Sequence, residues 1–183
     1  MMSEHNLIEN GSFKDASVTS WQRAHRNPKP LVFHDYTLEK KLILLEPGEV
    51  LEQSIDAERI GHYRSFLIKA TARTSGCLNA TCIGFPELAP VTMQELEPAP
   101  DVNGLTALLE VSFTLSFATG HVSKTLFARA HYGMQPFEAE VAFEHSPATL
   151  LSAGISCRTP ALALREQDRK YLWVTEFKVI PLH

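Results

Sequence analysis

Strict alternation of apolar and polar residues restricts this chain more than any other feature. Successive side chains of an extended strand face opposite sides, so alternation marks a strand with one face in a core and one toward water. Along Tyr63 to Arg73, residues Phe66, Ile68, Ala70 and Ala72 share one face. Ser65, Lys69, Thr71 and Arg73 share the other, with Tyr63 and Leu67 as its apolar members. Leu105 to Phe117 repeats the pattern, with Val111, Phe113, Leu115 and Phe117 opposite Ser112, Thr114 and Ser116. Phe137 to Phe143 sets Phe137, Ala139, Val141 and Phe143 against Glu138 and Glu140. Glu49 to Ile55 and Tyr171 to Ile180 alternate in the same way, and Val122 to His131 follows a tight-turn pair, Thr119-Gly120.

Shorter strands are expected at Leu31 to Tyr36, Lys41 to Leu45 and Cys77 to Phe85, with turns at Pro47-Gly48, Ser75-Gly76 and Gly133. About ten short strands with frequent turns indicate a sandwich or barrel. Runs of helical period are missing, which excludes a helical bundle and a βαβ fold. The fold class predicted is all-β, a two-sheet antiparallel β-sandwich spanning 1–183 as one domain. A Pro-rich acidic loop at 86–104, with Pro86, Pro90, Pro98 and Pro100 among Glu87, Glu95, Glu97 and Asp101, interrupts the pattern. Such a loop reads as an extended crossover, with a helical turn at Val91 to Leu96, or as a flap over a ligand or partner. Ala161 to Lys170 reads as a loop.

Charge and cysteine content exclude several functions. The net charge of −4 gives no field for a phosphate backbone, so no nucleic acid is expected. No stretch reaches the ~18 apolar residues of a membrane helix. The three cysteines, Cys77, Cys82 and Cys157, are odd in number and lack metal spacing, so buried inert thiols are expected. The polar stretch Met1 to Gly11 lacks an apolar signal core, which predicts a soluble protein of the reducing cytoplasm, with any release by a leaderless route.

Catalytic signatures are missing too. The chain has no Gly-x-Ser-x-Gly elbow, phosphate loop or His-Glu-x-x-His, and its eight histidines show no zinc spacing. Glu138 and Glu140 share a strand face but read as a solvated pair. The expectation is therefore no enzyme.

Asn6-Leu7-Ile8-Glu9-Asn10-Gly11-Ser12-Phe13, followed by Trp21, resembles the opening of carbohydrate-binding modules of the galactose-binding-like (jelly-roll) superfold. Gln53 in a short alternating strand, Gly61-His62-Tyr63 before a long strand, Thr74-Ser75-Gly76 after it and the closing run Trp173 to Val179 extend the likeness. In this reading Asn10-Gly11 supplies a turn with positive φ, and Phe13 and Trp21 plug one end of the core. The resemblance implies a ligand-binding module, most plausibly for carbohydrate. The second reading is a structural or protein-interaction module that binds protein partners or itself, and a glycan-active enzyme comes third.

Sugars favour aromatic platforms beside hydrogen-bonding groups. The candidate ligand-binding residues are Tyr63, Lys69, Thr71 and Arg73 on the non-core face of the long strand, which in the resembling modules often forms the sugar cleft, or alternatively the loops around His34 and Tyr36. The resemblance also implies a structural calcium, held by a Glu after the Phe and an Asp-Asp pair in the closing strand. Lys14 follows Phe13 here, and Thr175-Glu176 stands for the pair, so the calcium is expected to be lost.

Overall fold

The alternating runs become strands in the computed structural model, which describes residues 5–15, 19–24, 32–35, 39–75, 89–99, 106–160 and 170–183. In chain order the strands are β1 (Gln22–Ala24), β2 (Val32–Asp35), β3 (Lys40–Leu45), β4 (Val50–Asp56), β5 (Ser65–Ser75), β6 (Val91–Thr92), β7 (Ala107–Phe117), β8 (Gly120–Ala130), β9 (Gln135–Ala142), β10 (Leu150–Arg158) and β11 (Tyr171–Leu182). One helical turn, α1 (Ala57–Ile60), links β4 to β5. The strands form a five-stranded sheet of order β1-β4-β10-β7-β8 and a six-stranded sheet of order β2-β3-β11-β5-β9-β6. All pairings are antiparallel except that of β6 with β9.

The core lies between the sheets and is filled by the apolar set of each alternation. Phe66, Ile68, Ala70 and Ala72 of β5 are buried, as are Val111, Phe113 and Leu115 of β7. Phe66 meets Phe113 across the gap edge to face, with ring centroids 4.9 Å apart, and Phe143 packs beside both. At one end Phe13, Trp21 and Phe177 form the expected plug, with centroids 5.0 to 6.2 Å apart.

The N-terminal segment fastens this plug. Strand β11 pairs with β3 only across Leu172–Val174, and a bulge follows between Thr175 and Lys178. Beyond the bulge the N-terminal segment takes over that edge. Leu7 N–H donates to Val179 O (2.9 Å), and Phe177 N–H donates to Gly11 O (3.0 Å). Positive φ falls on Asn10 (50°) rather than on Gly11. What requires glycine at 11 is contact: a Cβ there would lie 2.1 Å from Phe177 O. Gln53, buried on β4, locks the same segment by donating to Glu9 O (2.9 Å) and accepting from Glu9 N–H (2.8 Å).

Three elements depart from the sequence reading. The expected helical turn at Val91 to Leu96 is instead β6 followed by a bridge from Gln94 to Phe127, because the segment finds β9 and β8 as pairing partners. The sequence reading left out β1 and, more importantly, the central strand β10. The expected strand Cys77 to Phe85 lies outside the described residues, as does most of the expected loop Ala161 to Lys170.

Candidate functional site

The two sheets differ in what they carry on their outer faces. On the five-stranded sheet, register places Ser54, Gly154, Thr114 and Ser123 in one row across β4, β10, β7 and β8. The next row is Gln22, Glu52, Ser156, Ser112 and Thr125, and the row on the other side is Asp56, Ser152, Ser116 and His121. None of these residues is buried. Small side chains at the centre and longer ones at the margins leave a shallow trough of about 240 Å³, lined by Glu52, Ser54, Thr114, Ser116, Gly154 and Ser156 among others. Cross-strand hydrogen bonds join Thr114 Oγ1 of the trough to Ser123 Oγ (2.6 Å) and, beside it, Ser112 Oγ to Thr125 Oγ1 (3.0 Å). One end of the face carries Arg158, whose Nε donates to Glu110 Oε2 (2.9 Å), with half-buried Phe127 beside Glu110.

Beneath this face the Cys157 thiol lies in the core, its pKa pushed well up first by burial and second by the charge of Glu110. It is the buried inert thiol expected at that position, whereas Cys77 and Cys82 lie outside the described residues.

The outer face of the six-stranded sheet is apolar and buried around Trp173. Leu42, Leu44, Met134 and Trp173 form a second buried apolar cluster, joined by Phe33 and Tyr171. Trp173 Nε1–H donates to Ser75 Oγ (2.7 Å), and the Arg73 guanidinium lies 4.9 Å from the Trp173 ring centre.

The candidate binding residues read from sequence do not converge. Lys69, Thr71 and Arg73 do stand on the non-core side of β5. Thr71 and Arg73 are only 6% and 3% exposed, because the adjoining cluster and the Glu176 side chain cover that side. Lys69 faces Glu138 (4.0 Å). Tyr63 precedes β5, stacks on His62 (centroids 4.6 Å apart) and packs against the main core, roughly 30 Å along the strand from Arg73. His34 is exposed on the edge strand β2, and Tyr36 lies outside the described residues. Lys69 and Thr71 do share a depression of about 630 Å³ beside the N-terminal segment and β11, with Lys14, Glu138, Glu176 and Lys178 in its wall. Glu138 is engaged with Lys69 while Glu140 is exposed, so the pair faces no common cleft.

The calcium implied by the resemblance can be tested against this same corner. Calcium takes six to eight oxygen ligands. Here the main-chain oxygen of Lys14 accepts from Lys41 Nζ (3.1 Å). One Glu176 oxygen accepts from Lys40 Nζ and the other from the Thr71 hydroxyl (3.1 Å). Among the described residues no three His, Cys, Asp or Glu side chains converge as a metal site. The donors left at this corner do not fit calcium.

No protein-family model matches the sequence, and no curated protein matches it significantly. Solved structures do match in shape. The CBM22-2 xylan-binding domain of Paenibacillus barcinonensis Xyn10C superposes over 94% of this chain and 98% of its own, with a TM-score of 0.61 and 11% identity. TmCBM61, solved with β-1,4-galactotriose, matches over 97% of this chain and 99% of its own, with a TM-score of 0.55 and 7% identity. The enzymatically active domain of bacteriophage CBA120 tailspike protein 4 matches over 97% of this chain with a TM-score of 0.56 and 11% identity, but this chain spans only 21% of it. Likeness at such identity speaks for architecture: the chain has the two-sheet jelly-roll fold of carbohydrate-binding modules.

Proposed function

We propose that this domain is a non-catalytic carbohydrate-binding module that takes a saccharide chain along the outer face of its five-stranded sheet. The observation that carries the proposal is the contrast between the two outer faces. One carries a buried apolar cluster around Trp173, and the other a trough lined by serine and threonine hydroxyls. Ser and Thr hydroxyls both donate and accept, which suits sugar hydroxyls. Gly154 lets a ligand come close to the backbone at the centre of the trough. The fold shared with carbohydrate-binding modules supports the same reading.

The aromatic side chains on this face among the described residues are His121 and half-buried Phe127. Hydrogen bonding rather than ring stacking therefore dominates recognition, and affinity is modest. Affinity electrophoresis and calorimetry against soluble xylan, galactan and other polysaccharides test the proposal. A Cβ at Gly154 meets nothing closer than Gln53 O at 3.5 Å, so the backbone accepts a side chain there, and Gly154→Trp is expected to fill the trough. It is expected to weaken binding about tenfold or more, a loss of at least ~1.4 kcal/mol, with the fold intact. The absence of retention on every polysaccharide, or equal binding by Gly154→Trp, rejects the proposal.

A second reading, docking of a protein partner or a second copy, is favoured by Leu151 and Val122. They are 61% and 50% exposed and lie at the same end of the sheet, near the β7–β8 turn. Sedimentation of the wild type against Val122→Ser/Leu151→Ser decides it. A monomer in both cases removes self-association.

A further inference from the structure

Four non-glycine residues among those described have φ in the left-handed region: Asn10 (50°), Phe13 (56°), Glu39 (52°) and Glu176 (54°). All four belong to one junction. Asn10 and Phe13 shape the N-terminal segment, Glu39 precedes the start of β3, and Glu176 sits in the β11 bulge. Such residues persist where surrounding contacts over-determine them. The contacts here are specific. Asn10 pairs through both amide atoms with the Asp15 backbone (2.9 and 3.0 Å), and its carbonyl accepts from Phe13 N–H and Trp21 Nε1–H. The Asn6 side-chain oxygen accepts from Ile8 and Val179 N–H (3.0 Å each).

The parts still to be joined are the Lys14 carbonyl on one side and the Glu176 carboxylate on the other. Adjacent residues at the start of β3 reach them, since neighbouring side chains of a strand diverge to opposite faces. Lys41 Nζ donates to Lys14 O, and Lys40 Nζ to Glu176.

We infer that Lys40 and Lys41 act together as an internal cation clamp, their two ammonium groups fastening the N-terminal segment and the β11 bulge to β3. Each ammonium carries one positive charge and three donors for carbonyl and carboxylate oxygens. Being covalently part of the chain, the clamp cannot be withdrawn by a chelator. Lys40 and Glu176 side chains are 31% and 37% exposed, so salt must weaken it. This inference does not depend on the sugar-binding proposal.

Thermal unfolding of the full chain tests it. The wild type is expected to melt at the same temperature in excess EDTA and in millimolar CaCl2. Lys40→Met/Lys41→Met is expected to melt about 2–6 °C lower in low salt. The difference should shrink in molar NaCl, and Lys40→Arg should keep most of the wild-type value. If the double variant does not fold, Lys40→Gln carries the comparison. A calcium-dependent rise of the wild-type melting temperature overturns the clamp. So does a variant that melts with the wild type, or a deficit unchanged by salt, which would reflect lost packing instead.

Discussion

Replacing Gly11 with alanine is the smallest change that should open this sandwich. The new methyl would lie 2.1 Å from Phe177 O and 3.1 Å from Phe177 C. Ordinary contact needs about 3.4 Å, so the segment and β11 must part by roughly 1 Å, more than a packed core accepts without strain. That displacement acts on the Phe177 N–H to Gly11 O bond (3.0 Å) and on the seat of Phe13 and Trp21 against Phe177. Overpacking costs about 1–3 kcal/mol, and a lost buried hydrogen bond adds about 1 kcal/mol. The sum, about 3 kcal/mol, corresponds to a fall of roughly 6–12 °C in melting temperature for a chain of this length. Gly154→Ala is the matched control, because its Cβ meets only Gln53 O at 3.5 Å and it should shift stability by less than ~1 kcal/mol. Differential scanning fluorimetry and urea titration of both variants read the difference. If Gly11→Ala melts within about 2 °C of the wild type, the close approach does not hold the N-terminal segment, and the account of the plug fails.

Three further outcomes are expected. Gln53→Leu should cost about 1–2 kcal/mol, because it leaves both backbone groups of Glu9 without their buried partner; a urea midpoint equal to wild type would contradict this. Trp173→Leu removes the bond to Ser75 and the ring beneath Arg73, and should lower stability by about 2–4 kcal/mol, read by the same titration. Cys157 gives a pH effect whose sign follows from its raised pKa. The unfolded thiol ionises near pH 8.5 while the folded one keeps its proton, so above that pH the unfolded state binds fewer protons and stability falls. Stability should decline by up to ~1.4 kcal/mol per pH unit above pH 8.5, and Cys157→Val should flatten that slope; parallel slopes in the two proteins would show that the thiol does not contribute.

How much of this was legible in the sequence depends on what alternation can report. It identifies residues that share a face, and it located β5, β7 and β9 because their inward positions carry large apolar groups such as Phe66, Phe113 and Phe137. It located β11 as a strand but put Trp173 and Thr175 on one face with Phe177 and Val179; the bulge between Thr175 and Lys178 changes the alternation, so Leu172 and Val174 share the core with Phe177 and Val179 while Trp173 joins the outer cluster. It does not report whether the opposite face is open. Thr71 and Arg73 read as surface residues because they alternate with the core set, yet Thr71 is tied to Glu176 and Arg73 lies over the Trp173 ring, and those partners lie about a hundred positions away. The plug was legible through Phe13 and Trp21, but the reason for Gly11 was not, because the atom it avoids belongs to Phe177. Val91 to Leu96 looked helical only because its pairing partners, β9 and Phe127, are also remote.

Strand β10, which alternation failed to reveal, is the one on which the proposed site depends, and one physical cause explains both facts. In β10 the inward residues Ala153, Ile155 and Cys157 alternate with Ser152, Gly154 and Ser156, a valid period-two pattern written almost wholly in small side chains. Small residues give a weak hydrophobic contrast and a low strand propensity, and glycine weakens a strand further. The same smallness removes bulk from the centre of the outer face and creates the trough. Such a strand would fray at a sheet edge. Here β4 pairs with it over Ser152–Arg158 and β7 over Leu150–Arg158, with both partners antiparallel. Central position supplies the stability that the side chains of β10 do not, so the floor of the trough can be made of hydroxyls and bare backbone only because the strand carrying it lies between two others.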